Sequence, residues 1–199
     1  MRQRTWKTAA LILASSLALT ACNDGDGAMP GMNHSTPSAS AGAHNAADVE
    51  FATGMIPHHR QAVEMADLTA GKAQATAVKD LAAAIKAAQD PEIKQLSGWL
   101  TAWGEPVPTP GEHGGHDMSG SMPGMMSAEE MDALGKASGP AFDRMWVQLM
   151  IKHHRGAVTM AKTEQSVGQD PASIALAKKI ETDQNREIAT MQQLLEQLP

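Results

Sequence analysis

Cysteine and aromatic residues are nearly absent from this sequence of 199 residues. It contains one cysteine, no tyrosine and two phenylalanines, and aromatic residues make up 3% of the chain. A single cysteine excludes an internal disulfide and a metal site built from several thiolates. The core must therefore be built from alanine, leucine, isoleucine and methionine, with a little tryptophan.

Basic residues are also few, since 16 Lys and Arg stand against 22 Asp and Glu and leave a formal net charge of −6. Such a balance argues against nucleic acid as a partner. The chain has no strand pattern, no phosphate-binding loop and no His-Glu-x-x-His motif. No nucleophile stands beside a general base either, so we expect no enzymatic activity.

The first 22 residues have the pattern of a bacterial lipoprotein signal. Three basic residues precede an apolar run over positions 9–19, which is too short to span a bilayer as a stable helix. Residues 19–22, Leu-Thr-Ala-Cys, resemble a lipobox, which implies cleavage before Cys22 and lipidation of its thiol. We predict a signal peptide over 1–21 and a lipid-anchored protein outside the cytoplasm, in the periplasm or on the outer cell surface.

A motif of twelve residues occurs twice in the chain. Met-Ile-x-His-His-Arg-x-Ala-Val-x-Met-Ala spans residues 55–66 and returns 95 positions later at 150–161. On a helix, both histidines of each copy fall on one methionine-lined, mostly apolar face. Histidine and methionine without cysteine form a ligand set that suits copper, above all Cu(I). The predicted metal ligands are Met55, His58, His59, Met65, Met150, His153, His154 and Met160.

Two aspartates, Asp48 and Asp143, lie on the same faces as the motifs. We expect them to be hydrogen-bond partners of the metal-binding histidines. A purely structural interpretation also stands, in which the histidines are buried, bond to carboxylates such as these two, and have methionine as packing material.

The same offset extends over a second helix in each half of the chain. Ile85, Gln89 and Glu92 align with Ile180, Gln184 and Glu187, so the pattern indicates a duplicated helical hairpin. We predict long helices over 47–70, 75–103, 140–167 and 171–198, with a kink rather than a break at Pro91, and a short helix over 127–137. The first hairpin occupies 47–104, the short helix and second hairpin occupy 127–199, and 47–199 form one domain.

Two segments rich in glycine, serine and proline, a tether over 22–46 and a linker over 105–126, are predicted to be flexible. The Met-Pro-Gly-Met of residues 29–32 recurs at 122–125. Flexible methionine and histidine clusters can wrap a soft cation, although compositional drift would also explain them. The auxiliary ligands predicted in the linker are His113, His116, Met118, Met122, Met125 and Met126.

The chain resembles a known bacterial family. Phe142-Asp143, the run from Met150 to Ala157, Met160-Ala161 and residues 126–131 are similar to the family called domain of unknown function 305, which includes CopM-like copper-binding proteins of the cell envelope. The resemblance covers about residues 47–199. It implies an all-α, ferritin-like four-helix bundle with an extracytoplasmic copper-binding role and ligands from the two motifs.

The leading hypothesis is a copper-binding lipoprotein that sequesters Cu(I), and also Cu(II), or hands it on to an unidentified partner protein. Because neutral imidazole is the ligand, binding through histidine should weaken below about pH 6.5, whereas thioethers carry no competing proton. The alternatives are a structural bundle with packed histidines and a ferritin-like di-iron protein using Glu92 and Glu187. Periodicity does not distinguish one shared four-histidine site from two separate sites.

Overall fold

The chain folds into helices throughout the part that the structure, a computed structural model, describes: residues 43–109 and 122–199, which belong to one compact unit. Five helices and no strand occur there. They are α1 (Ala46–Lys72), α2 (Thr76–Trp103), α3 (Ala128–Lys136), α4 (Gly139–Val167) and α5 (Pro171–Gln197). Within these ranges, no helix has the length and apolar character needed to cross a bilayer. The predicted signal peptide and Cys22 lie outside the described residues.

All five predicted helices are present, and their ends agree with the predictions to within two residues. α2 continues through Pro91 as one helix. Ser127 and Glu130 form a capping box at the start of α3, and Asp170 caps α5 ahead of a proline in its first turn. These features are local, which is why sequence periodicity and capping patterns sufficed to predict them.

The long helices pair as two hairpins. α1 packs along α2, α4 packs along α5, and the two motif helices α1 and α4 contact each other. The duplicated helical hairpin predicted from the sequence repeat is therefore present. The finer ferritin-like arrangement of the four helices stays a prediction.

The core consists of two apolar clusters. The first contains Met65, Trp146 and Met150, and the second contains Phe51 and Met55. Every long helix contributes apolar side chains to both clusters. Between the stretch that belongs to one cluster and the stretch that belongs to the other, each long helix carries buried or partly buried polar side chains. We call these side chains the polar layer; its members are His58, His59, Gln89, Glu92, His153, His154, Gln184 and Glu187.

Asp48 and Asp143 join the two halves of the chain reciprocally. Asp48 on α1 accepts hydrogen bonds from the backbone N–H groups of Gln169 and Asp170 in the α4–α5 connection. Asp143 on α4 accepts from the α1–α2 connection, at 2.8 Å from the nitrogen of Ala75. The first N–H groups of a helix lack partners within it and attract such carboxylates. Both aspartates therefore bond to backbone rather than to the histidines, which corrects the expectation from the helical wheel.

Residues 122–126, predicted to be part of a flexible linker, pack against α1 and α4, and we call them the docked segment. The Gln61 side chain accepts from the Met126 nitrogen at 2.7 Å and donates to the Met126 carbonyl at 3.0 Å. Met125 and Met126 are 7% and 2% exposed. The prediction that this part of the linker is flexible was wrong for these two methionines, because a composition rich in glycine and proline does not reveal a docking partner elsewhere in the chain. Their role as auxiliary ligands stays a prediction.

The docked segment approaches α4 at a glycine. A Cβ placed on Gly156 would lie 1.9 Å from the carbonyl oxygen of Pro123. Gly124, opposite, has a φ of 79°, a left-handed conformation that favours glycine. The first copy of the motif has Gln61 at the position of Gly156, so the two copies support this segment in different ways.

Candidate metal centre

The four motif histidines meet in the polar layer. All four are fully buried, and the rings of His58 and His153 have centroids 3.8 Å apart with a tilt of 39°. The rings of His153 and His154 have centroids 6.4 Å apart. The contact between α1 and α4 therefore brings the two sequence copies together at His58 and His153.

Three of these histidines use the same ring nitrogen for a hydrogen bond. Nε2 of His59 lies 2.8 Å from Glu92 Oε2, and Nε2 of His154 lies 2.7 Å from Glu187 Oε2. Nε2 of His58 lies 3.1 Å from the carbonyl oxygen of Pro123. A carbonyl or carboxylate oxygen only accepts, so each Nε2 carries the proton and donates.

The remaining ring nitrogens have no hydrogen-bond partner. They are Nδ1 of His58, His59 and His154, and both nitrogens of His153. In a neutral ring that donates through Nε2, Nδ1 is unprotonated and its lone pair can bind a metal ion. Each unsatisfied buried polar atom costs about 1–3 kcal/mol. Histidines that ligate metals typically donate the other ring N–H to a carboxylate or a carbonyl, which is the pattern found here.

Burial keeps the inner pair neutral. Desolvation, and then the neighbouring His59, lower the pKa of His58 to about 3, although the Pro123 carbonyl acts in the opposite direction. Desolvation, followed by the adjacent imidazoles, lowers the pKa of His153 well below its ordinary value. For this pair, the weakening of histidine ligation expected below about pH 6.5 should therefore begin at lower pH, since burial moves protonation of the imidazoles to lower pH.

Glu92 also connects the buried layer to the surface. Burial alone would raise its pKa, but hydrogen bonds from His59 and Lys179 hold that pKa below its ordinary value. Lys179 Nζ lies 2.8 Å from Glu92 Oε1, so both carboxylate oxygens are bonded. The sequence repeat aligned Glu92 with Glu187, but only the packing of the hairpins shows that each faces a motif histidine.

The predicted methionine ligands divide between the two apolar clusters. Met65 and Met150 are fully buried in the first cluster, and Met55 is fully buried in the second. Met160 packs against the second cluster and is only partly buried. The antiparallel contact of α1 and α4 explains the division. The methionine that precedes the histidines in one copy belongs to the same cluster as the methionine that follows the histidines in the other copy.

Met160 also lines a surface groove between α1, α4 and the docked segment. The groove has a volume of about 670 Å³. Its walls also include Met122, Pro123, Pro57 and Glu164.

Across residues 43–109 and 122–199, no group of three or more His, Cys, Asp or Glu side chains is arranged to hold a metal ion. A soft metal ion would have to use imidazoles in pairs, or imidazole with thioether. The predicted linker ligands His113, His116 and Met118 lie outside the described residues.

Comparison with known proteins assigns the family. The family described as Domain of unknown function (DUF305) matches residues 48–195. The chain belongs to the DUF305 family. The resemblance read from the motifs is thus confirmed. No match is found among curated protein sequences.

Three solved structures of DUF305 type resemble this chain over most of its length. A proposed secreted DUF305 protein from Streptomyces coelicolor is 34% identical, with a TM-score of 0.68, covering 76% of this chain and 93% of that one. A DUF305 fragment from Deinococcus radiodurans is 31% identical, with a TM-score of 0.67 and coverages of 77% and 98%. CopM in its Cu(II)-bound form is 35% identical, with a TM-score of 0.64 and coverages of 75% and 96%. Structures of CopM with Cu(I) and with silver are also similar.

One carboxyl group in the wall of the groove, that of Glu164, should make stability depend on pH. Glu164 is 1% exposed. Burial raises its pKa to about 7; the Ser173 hydroxyl opposes this rise, and the negative charges of Asp48 and Asp170 add to it. Between pH 4.5 and 7, Glu164 therefore keeps its proton in the folded state and has lost it in the unfolded state. The free energy of unfolding accordingly falls as pH rises through this range.

Glu164→Gln should accordingly stabilise the protein at pH 8 by about 1–3 kcal/mol and have little effect at pH 4.5. Urea unfolding at both pH values measures the difference. Glu50→Gln, which alters an exposed carboxylate in the wall of the same groove, is the matched control. Equal responses of the two variants at pH 8 would contradict the assignment.

Proposed function

We propose that this DUF305 chain is an extracytoplasmic copper-binding protein that binds Cu(I) in preference to Cu(II) and sequesters it or hands it on without catalysing a reaction. The observation that carries the proposal is the hydrogen bonding of the polar layer. Three buried imidazoles donate through Nε2 to Glu92, Glu187 or the Pro123 carbonyl, and the remaining nitrogens have no partner. Copper here is the cargo of the protein.

His58 and His153 are the inner ligands in this proposal, because their rings are in contact and burial keeps them neutral. His59 and His154 are ligands whose ring orientation is set by Glu92 and Glu187. Among the motif methionines, Met160 alone is partly exposed, so we assign its thioether a role at the surface groove rather than in the buried layer. Met55, Met65 and Met150 flank the layer within the apolar clusters.

The DUF305 relatives support the choice of metal. CopM structures are described with Cu(I), Cu(II) and silver bound, and imidazole with thioether is a donor set that suits Cu(I). The predicted signal peptide, the lipid anchor at Cys22 and the ferritin-like bundle belong to the same proposal. A role in copper tolerance or homeostasis, with transfer to an unidentified partner protein, follows from a carrier outside the cytoplasm.

Two other functions are less well supported. A ferritin-like di-iron protein needs carboxylates that are free to bridge metals, whereas both oxygens of Glu92 bond to His59 and Lys179. A purely structural bundle would have histidines whose ring nitrogens are satisfied by protein groups. Five unpartnered ring nitrogens in one buried layer are costly for such a scaffold.

The decisive experiment replaces the inner histidines. His58→Ala and His153→Ala should each weaken Cu(I) affinity by more than about 100-fold, because loss of an outer hydrogen-bond partner alone typically costs about 10–100-fold. An anaerobic competition titration with a chromogenic chelator measures the change. His44→Ala is the control, since His44 stacks on Trp103 outside the polar layer. Unchanged copper stoichiometry together with a lower melting temperature would establish the structural alternative instead.

A further inference from the structure

Two methionine side chains approach one point on α1 in the wall of the groove. A Cβ placed on Gly54 would lie 3.0 Å from Cε of Met160 and 3.7 Å from Sδ of Met122. Met160 comes from α4 and Met122 from the docked segment. The absence of a side chain at Gly54 leaves space for the Met160 methyl group and the Met122 sulfur, which both lie within 4 Å of that point.

The position of Met122 depends on contacts far apart in the sequence. The residue after it, Pro123, accepts the hydrogen bond from His58 Nε2 and packs against Gly156 on α4. Pro57, which precedes His58 in the chain, also lines the groove. Two prolines therefore connect the groove with the inner histidines: Pro123, which accepts the hydrogen bond from His58, and Pro57, which precedes His58 in the chain.

The environment of this pair suits a soft cation. Met122 and Met160 are both partly exposed, unlike Met55 and Met150, which are fully buried among apolar side chains. The exposed carboxylate of Glu50 lines the same groove, and the chain has a net charge of −6, so cations are attracted towards it. Thioethers select soft metal ions and bind without releasing a proton.

We propose that Met122 and Met160 form a thioether site at the groove surface that captures a soft monovalent cation before it reaches the buried histidines. This inference rests on the copper-binding function proposed above and adds a second, outer site to it. Gly54 positions the pair by leaving room for both side chains, and the docked segment supplies one of the two ligands. The cation is Cu(I) or its diamagnetic analogue Ag(I).

The test titrates the full-length protein, with ¹³C-labelled methionine methyl groups, with Ag(I). The methyl signals of Met122 and Met160, assigned by substitution, should shift within the first two equivalents. Histidine ring signals are recorded on the same samples. Met122→Leu and Met160→Leu should each weaken Ag(I) binding at the outer site by at least about tenfold, since a direct ligand is lost.

Two matched controls separate the site from general effects of substitution. Met145→Leu changes another partly buried methionine of α4, away from the groove, and should leave Ag(I) binding unchanged. Gly54→Ala adds a methyl group that the flexible end of Met160 must avoid, so it should weaken outer-site binding while the fold persists. Gly98→Ala, with open space around its added methyl group, should bind like the wild type.

The outcomes distinguish this inference from the function on which it rests. Shifts of the histidine signals without shifts of the Met122 and Met160 methyl groups would overturn the outer site and leave the central site standing. Shifts of these methyl groups alone would support the outer site and contradict the central one. Equal Ag(I) affinity of wild type, Met122→Leu and Met160→Leu would also refute the outer site.

Discussion

Gly156→Ala is expected to destabilise the protein by about 3 kcal/mol, because overpacking against rigid groups typically costs about 1–3 kcal/mol and further contacts are lost here. The added Cβ would lie 1.9 Å from the Pro123 carbonyl oxygen and 2.7 Å from Gly124 Cα, and neither backbone group can move without undocking residues 122–126. Undocking breaks both hydrogen bonds between Gln61 and Met126. Urea unfolding measures the stability, and hydrogen exchange at the Met126 amide reports the undocking.

Gly98→Ala is the matched control for this prediction. Gly98 also lies within a long helix, but a Cβ there meets nothing within 4 Å. Replacing a helix-interior glycine with alanine should then stabilise the protein by about 0.5–1 kcal/mol. A Gly156→Ala protein as stable as Gly98→Ala would show that the docked segment is not held as described.

The same substitution should also weaken copper binding. His58 donates its Nε2–H to the Pro123 carbonyl, and undocking removes this partner. Loss of such a partner typically reduces metal affinity by about 10–100-fold. Gly156→Ala therefore connects the docked segment with the proposed metal centre, and unchanged copper affinity after undocking would separate the two.

Asp48→Ala and Asp143→Ala should each cost about 2–4 kcal/mol. Each removes a buried carboxylate that accepts from two backbone N–H groups in the connection of the other hairpin. Each N–H left without a partner costs about 1–3 kcal/mol. Thermal or urea unfolding at pH 7 measures both losses. Asp67→Ala, which removes an exposed ion pair with Lys86, is the control and should leave stability unchanged.

For Asp48→Ala, the loss of folding stability should also depend on pH. Burial would raise its pKa, but backbone N–H groups, those of Asn45 and Asp170 foremost, hold the pKa below its ordinary value of 3.8. Stability from this group is therefore present above pH 3.8 and is lost as pH falls through the lowered pKa. The difference between wild type and Asp48→Ala should shrink in that acidic range, and a difference that stays constant would contradict the role of the ionised carboxylate.

The helices themselves were predictable from the sequence because their determinants are local. Apolar periodicity, the Ser127 capping box and the cap at Asp170 act within one or two turns. The 95-residue repeat predicted the paired hairpins and, with them, the continuity of α2 through Pro91. The motif spacing also predicted that both histidines of each copy face the interior, and all four are buried.

The contacts within the candidate metal centre could not be predicted in this way. Glu92 and Glu187 were aligned with each other, yet nothing in the sequence said that they, rather than Asp48 and Asp143, would bond to the histidines. Both kinds of carboxylate lie on inward faces. Their partners differ because Asp48 and Asp143 lie at helix ends, beside N–H groups without acceptors, whereas the glutamates lie level with the histidines.

The sequence by itself determined the duplicated helical hairpin, the four inward-facing histidines and the family to which the chain belongs. Only the tertiary structure decided that His58 and His153 meet in a single pair, that the methionines of each copy separate into different clusters, and that residues 122–126 are docked. The physical reason is the range of the interactions. Helix formation and amphipathicity depend on residues three or four positions apart, whereas these contacts join groups tens of positions apart that meet only when α1 and α4 pack together.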